Sequence, residues 1–303
     1  MRALCILAVL ALSTTSSALQ LPWYPDEVRL PELLVSGYNS DAVHRFDPVS
    51  GKSLGNFSNV PGAQGMTIGP DGLLYVCAEK IDTIKRFDLH MNKFVDDFVV
   101  DDPLTPMNEA GSLNGPTSIL FNPGGDLLIG SFNNDRILRY DGSTGAFLGA
   151  FVTAKSGGLD GPDAGMTFGP GGDLFVPSFY SDEVLRYDGV TGDSLGAFIS
   201  GGSGGLSRPR TVRFHRDGFV YVSSEGSNEI LRYDFSGNFV EQFTSTVGPT
   251  GMDIGRHDGD LYVTSAGKNY VKQFAIGTGT LIAKPVINGN GLVDAGVFLY
   301  FVK

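Results

Sequence analysis

Cysteine is nearly absent from this chain: there are two among 303 residues, Cys5 and Cys77. Cys5 lies in a stretch that reads as a removable leader, so the mature chain is expected to hold one thiol and no internal disulfide. Cys77 ends the apolar run LLYVC with no His beside it, the setting of a small core residue rather than a nucleophile. Long apolar runs are also missing. None reaches the roughly 18 residues that a membrane-spanning helix requires, so no membrane span is expected. No window keeps apolar residues at i, i+3, i+4 and i+7 for three turns, which excludes long amphipathic helices. Positive charge is scarce: 22 Lys and Arg stand against 33 Asp and Glu, a formal net charge of −11. Nucleic acid and anionic membrane both call for a cationic face, so neither is expected as a partner.

The first residues combine Arg2, an apolar run from Ala3 to Leu12, and small residues with Ser16 and Ala18 in the small-x-small arrangement. That pattern marks 1–18 as a secretory signal peptide. Residues 19–32 then form a lead-in and 33–303 a single domain, secreted or, in a bacterium, periplasmic. One glycosylation sequon, Asn56-Phe57-Ser58, would be exposed in a eukaryotic protein.

Glycine is abundant, 42 residues, and the chain repeats itself. SFNNDRILRYDGSTGAFLGAFV (131–152) returns as SFYSDEVLRYDGVTGDSLGAFI (178–199). Aligning on Arg-aromatic-Asp finds Arg45-Phe46-Asp47, Arg86-Phe87-Asp88, Arg139-Tyr140-Asp141, Arg186-Tyr187-Asp188 and Arg232-Tyr233-Asp234, with a worn sixth copy, Gln273-Phe274-Ala275. Successive spacings are 41, 53, 47, 46 and 41 residues. Each unit holds four short β-rich runs separated by Gly, Pro and Asp, a four-stranded antiparallel meander. The first hairpin of each is marked by GPDG (69–72), NPGGD (122–126), GPGGD (169–173), HRDG (215–218) or RHDGD (256–260). Sheets this small cannot bury both faces alone, so they must stack around an axis. The expected fold is an all-β, six-bladed β-propeller, its blades built from strands A to D running from pore to rim. The first blade enters at its B strand, LLVSG (33–37), and lacks an A strand. The C-terminal segment DAGVFLY (294–300) matches DAGMTFG (163–169) and is expected to supply it, closing the ring within one chain, as a monomer.

The pattern seen in GMTIGPDGLLYVC, GMTFGPGGDLFVPS and GMDIGRHDGDLYVTS, followed by a (I/V)-L-R-(Y/F)-D run and T-G, resembles NHL-type propeller repeats over essentially the whole mature chain. Broadly similar propellers include gluconolactonase-like and strictosidine synthase-like enzymes, peptidyl-amidoglycolate lyase domains and pure binding modules, so the resemblance implies a fold rather than an activity.

In this topology the D–A and B–C loops share one face, the expected ligand face. Just before strand A come Ala295, Gln64, Thr117, Ala164, Arg210 and Thr250 for blades 1 to 6. One step earlier stand Asp294, Ala63, Pro116, Asp163, Pro209 and Pro249. Following strand B come Tyr38, Glu79, Phe132, Phe179, Glu225 and Ala266. These positions vary within a repeating frame, as expected where function sets the residue. Asp163 faces Asp294 across a six-fold ring, Glu79 faces Glu225, and Arg210 is the ring's cation. Three uses are open: ion pairing with Arg210, oxygen ligation of Ca²⁺ by Asp163, Asp294, Glu79 and Glu225, or acid–base work by carboxylates that raise one another's pKa. Arg210, Gln64, Thr117 and Thr250, with the aromatics Tyr38, Phe132, Phe179 and Tyr180, are expected to contact a small molecule, glycan or protein. The alternative is a Ca²⁺-assisted hydrolase, lactonase or lyase. Glu79, Asn133 and Asp163 match the residue types of the gluconolactonase-like metal set but not its pattern. The histidines (His44, His90, His215, His257) fall away from the pore mouth, so a three-His zinc site has no basis. The long D–A connection 99–115 is a candidate rim or lid.

Overall fold

Alternating apolar residues broken by Gly, Pro and Asp dictate short strands, and the chain forms 24 of them among the described residues, β1 (Leu33–Gly37) to β24 (Gly296–Phe301). The computed structural model describes residues 32–100, 112–256, 258–265, 268–286 and 293–302. The expected leader and nearly all of the lead-in, the middle of the 99–115 connection, His257 and Ala266 lie outside them. The strands assemble into six four-stranded antiparallel sheets, so the chain is a six-bladed β-propeller. Five blades follow chain order. The first is ordered β24-β1-β2-β3, with β2 spanning Ala42–Phe46 and β3 spanning Ser53–Ser58. β24 pairs with β1 through Leu33↔Phe301, Leu34↔Tyr300 and Val35↔Leu299, and the last apolar run closes the ring. Leu33, Val35, Leu299 and Phe301 pack with Tyr262 and Val271 of blade 6 in one cluster.

The repeated Arg-aromatic-Asp is a frame device. The aromatic residue is buried in every blade, from Phe46 to Phe274. The arginines pair with carboxylates along the blade: Arg45 bidentately with Glu32 at 2.8 and 2.7 Å, Arg86 likewise with Asp96, Arg186 with Asp173 and Arg232 with Glu241. The aspartates cap the C–D turns. Asp47 Oδ1 accepts the Val49 and Ser50 amides, and Asp88, Asp141, Asp188 and Asp234 repeat the arrangement. The glycine that closes these turns has φ between 67° and 83° in blades 1 and 3 to 6. At Gly145, Gly192 and Gly237 a Cβ would overlap a carbonyl oxygen of the preceding blade, that of Phe98, Phe151 or Phe198. Each rim strand also carries a register shift opposite the Arg-aromatic pair, a bulge that twists the free outer edge and blunts it against pairing with another sheet.

A second device joins blades on the opposite face. The last B–C loop residue is Asp41, Asp82, Asp135, Asp182, Asn228 or Asn269, all at φ between 49° and 61°. The Oδ1 of each accepts a backbone amide from the next blade's D–A loop, from Gly62, Gly115, Gly161, Arg208, Gly248 and Ala295 respectively, at 2.6–3.0 Å. Asp and Asn tolerate the left-handed region and accept at short range, which is why only they occupy this position.

Candidate functional site

These latches fix which residues share a ring position, and they correct two of the sequence assignments. Ala295 takes the latch in blade 1, and Gly296 pairs with Gly37 as Pro209 pairs with Ser224. The pore-mouth position of blade 1 is therefore Val297, not Ala295. Asp294 falls two residues ahead of Gly296, exposed, with its backbone carbonyl accepting the Asn39 amide. In blade 4, Pro162 bridges Ser178 and Thr167 pairs with Phe175. Five residues separate Pro162 from Thr167 where four separate Pro209 from Arg213, so blade 4 carries one extra residue. Asp163 thereby moves onto the ring beside Arg210. It does not face Asp294 across the pore. The local likeness of DAG at 163–165 and at 294–296 had concealed both shifts.

Arg210 is the centre of what remains. Its Nη1 lies 2.8 Å from Asp163 Oδ2 and its Nε lies 2.5 Å from Glu225 Oε2. Its guanidinium stands 5.1 Å from the centre of the Phe179 ring. Asp163 is fully buried, Glu225 partly exposed. Burial pushes the Asp163 carboxyl above the ordinary aspartate value, and the Arg210 guanidinium and the Ala164 amide pull it back. For Arg210, burial alone favours the neutral form, and the two carboxylates more than offset it. In blade 2 the Gln64 amide donates to Glu79 Oε2, while Gln64 Oε1 is buried with no hydrogen-bond partner among the described residues. Burial raises the Glu79 pKa, Gln64 works against the rise, and Asp163 adds to it. The two carboxylates of raised pKa thus share one electrostatic neighbourhood.

Thr117 and Thr250, expected as ligand contacts, instead tie blades together. Both are buried, and their hydroxyls donate to the Pro162 and Gly296 carbonyls of the following blade at 2.6 and 3.0 Å. Tyr38 lies under Lys80, whose Nζ is 4.7 Å from the ring centre and ion-paired with Asp41. Phe132, Phe179 and Tyr180 form a mutual cluster with centroids 5.0–6.0 Å apart, and Tyr180 is 62% exposed. Among the described residues no group of three or more His, Cys, Asp or Glu side chains is placed to hold a metal. With Asp163 and Glu225 both on a guanidinium, this donor set does not fit Ca²⁺. His44 lies on strand C and bonds Ser40 of the blade 1 B–C loop, His90 lies beyond strand C, and His215 lies in an A–B turn on the other face.

One contributor escaped the sequence reading. Arg208 occupies the latch-receiving position where four other blades have glycine, at φ 51°. Its exposed guanidinium stands 5.7 Å from the Phe179 ring centre. A lone arginine in a column of glycines was the signal available.

No family model matches this chain, and no curated relative matches it. Solved structures do. A chain of the nidogen/laminin complex aligns with TM-score 0.70 at 14% identity, covering 90% of this chain and 98% of that one. Virginiamycin B lyase from Staphylococcus aureus aligns with TM-score 0.58 at 17% identity over 82% and 78% of the two chains. A catalytically inactive variant of that lyase with quinupristin aligns with TM-score 0.61 at 16% identity over 90% and 92%. Identities this low establish the shared propeller fold alone.

Proposed function

We propose that this propeller is a secreted binding module that takes a glycan on its D–A/B–C face, on a platform formed by Phe179 and Tyr180 and bordered by Arg208, Arg210 and Glu225. The observation that carries this reading is Arg208. A non-glycine residue in the left-handed region costs about 1 kcal/mol or more, and such strain collects where a ligand is held. Here it sets a guanidinium with no ion pair among the described residues over an aromatic ring, next to an exposed tyrosine. Sugars stack on such rings while charged side chains at the border bond their hydroxyls. The nidogen/laminin neighbour, a structure of a complex, accords with a propeller used for binding.

The test is a glycan array with the purified mature protein, followed by calorimetry on the strongest hit. Tyr180→Ala and Arg208→Gly should each weaken binding at least ten-fold without lowering Tm, because Tyr180 is exposed and glycine relieves the strain at 208. No saturable glycan binding, or binding that both variants retain, overturns the reading.

Lyase or hydrolase chemistry is the second reading, supported by Glu79 and Asp163, whose raised pKa values suit an acid or base. It requires turnover of a bound ligand that Glu79→Gln abolishes while leaving affinity intact. A rise in Tm on adding Ca²⁺, reversed by chelation, would restore the metal-assisted version.

A further inference from the structure

The opposite face holds a feature that the glycan reading does not use. Between the A–B turns of blades 5 and 6 lies a depression of about 330 Å³, lined by Phe214, His215, Arg216, Ile254, Arg256 and Gly259. We infer that it binds a phosphate- or sulfate-bearing ligand through Arg216 and Arg256. The turn sequences carry the first argument. Blades 2, 3 and 4 place a proline, Pro70, Pro123 and Pro170, one step into the A–B turn, where it presets the backbone. Blades 5 and 6 give up that proline, and both put arginine there. The two replacements fall on adjacent blades and line one cavity.

The second argument is charge. Nearly every arginine on strands A and C of the described residues has a carboxylate within 4.0 Å, as Arg45, Arg86, Arg139, Arg186, Arg210, Arg213 and Arg232 do. Arg216 and Arg256 have no such pairing among the described residues, although the chain as a whole carries a net charge of −11. Arg256 is fixed by its Nε, which donates to the Phe301 carbonyl at 3.1 Å, leaving its terminal nitrogens for another acceptor. An Arg216 terminal nitrogen lies over the blade 6 turn, where a Cβ on Gly259 (φ 73°) would come within 3.2 Å of it. The nearby carboxylates are engaged: Asp217 with Tyr221 and His215, Asp258 with Tyr262 and Gln273, and Asp253, which also feels the Arg256 charge, with Arg213 and the Phe301 amide. Guanidinium forks match the oxygens of phosphate-like and carboxylate groups bidentately, and two forks on one cavity suit a tetrahedral oxyanion with several free oxygens. Phe214 and Ile254 give its organic carrier an apolar wall.

Calorimetric titration of the full protein with inorganic phosphate and with inorganic sulfate, against chloride at matched ionic strength, tests the assignment. Saturable binding of either ion above the chloride background is expected, and the tighter one indicates which ester the natural ligand carries. Arg216→Gln and Arg256→Gln should each weaken it at least ten-fold, with Tm unchanged for the exposed Arg216 and slightly lowered for Arg256, which gives up its bond to the Phe301 carbonyl. Tyr180→Ala on the other face should leave it intact, which separates this site from the glycan platform. No saturable binding of either ion, or equal binding in both arginine variants, overturns the inference.

Discussion

His44 makes blade 1 acid-sensitive, and the size of the effect follows from its surroundings. It lies on β2, 2% exposed, with Nε2 2.8 Å from Ser40 Oγ and Nδ1 buried without a partner. Burial lowers its pKa from the ordinary 6.5 to about 4. The folded state therefore refuses a proton that the unfolded chain accepts. Stability from this group is fully present above pH 6.5, declines as pH falls, and is lost by about pH 4. At pH 5 the loss is about 2 kcal/mol, and the ceiling below pH 4 is about 3 kcal/mol. The repeat supplies the control substitution. The equivalent strand C position holds Leu138, Leu185 and Leu231 in blades 3 to 5 and lysine in blades 2 and 6, each paired with the matching strand B residue as His44 pairs with Val35. His44→Leu should therefore fold, match or exceed wild-type stability at pH 7.5, and remove about 2 kcal/mol of the loss between pH 7.5 and 5. Calorimetric Tm at the two pH values reads this as about 4 °C less destabilisation in the variant. If both proteins lose the same Tm between the two pH values, the imidazole is not held neutral and the reasoning fails.

The blade latch makes a graded expectation: Asp182→Ala, which removes the acceptor of the Arg208 amide, should cost about 1–3 kcal/mol, while Asp182→Asn, the residue type of blades 5 and 6, should cost under about 0.5 kcal/mol. Urea midpoints for the pair check it. Gly192→Ala should cost about 2–4 kcal/mol because its Cβ would strike the Phe151 carbonyl, whereas Gly172→Ala, at φ 89° with open space around it, should cost about 1 kcal/mol. Equal melting temperatures for the two would remove the close-approach argument. Deleting residues 294–303 takes away β24, exposes Leu33 and Val35 and leaves blade 1 a three-stranded sheet. The expected result is a Tm lower by more than about 10 °C or loss of a single cooperative calorimetric transition.

The fold was legible because its demands recur. Every blade has a turn residue that tolerates positive φ and a buried aromatic, five of the six add a capping aspartate, and the copies make those needs stand out from background. The site was less legible because it depends on register. A single additional residue in blade 4 moves Asp163 next to Arg210, and its one trace in the sequence is spacing: Pro162 stands seven positions ahead of Gly169, where Pro116, Pro209 and Pro249 stand six ahead of Asn122, His215 and Gly255. The match between DAG at 163–165 and at 294–296 pointed to the wrong alignment, since β24 is fixed by Leu33↔Phe301 pairing rather than by its first three residues. Thr117 and Thr250 vary around the ring as ligand contacts would. Their hydroxyls reach the next blade's carbonyl only once neighbouring blades are in place.

Six blades built to one plan act as controls for one another, and several departures from plan fall in blades 4 to 6. Blade 4 carries the extra residue and supplies Phe179 and Tyr180. Blade 5 replaces the latch glycine with Arg208 and a turn proline with Arg216, and blade 6 replaces the same proline with Arg256. Each change gives up something local, whether ladder regularity, an unstrained backbone or a preset turn. The extra residue of blade 4 brings the buried Asp163 onto Arg210, whereas Tyr180, Arg208, Arg216 and Arg256 are all exposed. A residue that weakens its own element and buries nothing is best explained by contact with something outside the chain. On the two proposals made above, these altered blades would meet a glycan at the D–A loops and an oxyanion at the A–B turns, and the first three blades would chiefly complete the ring.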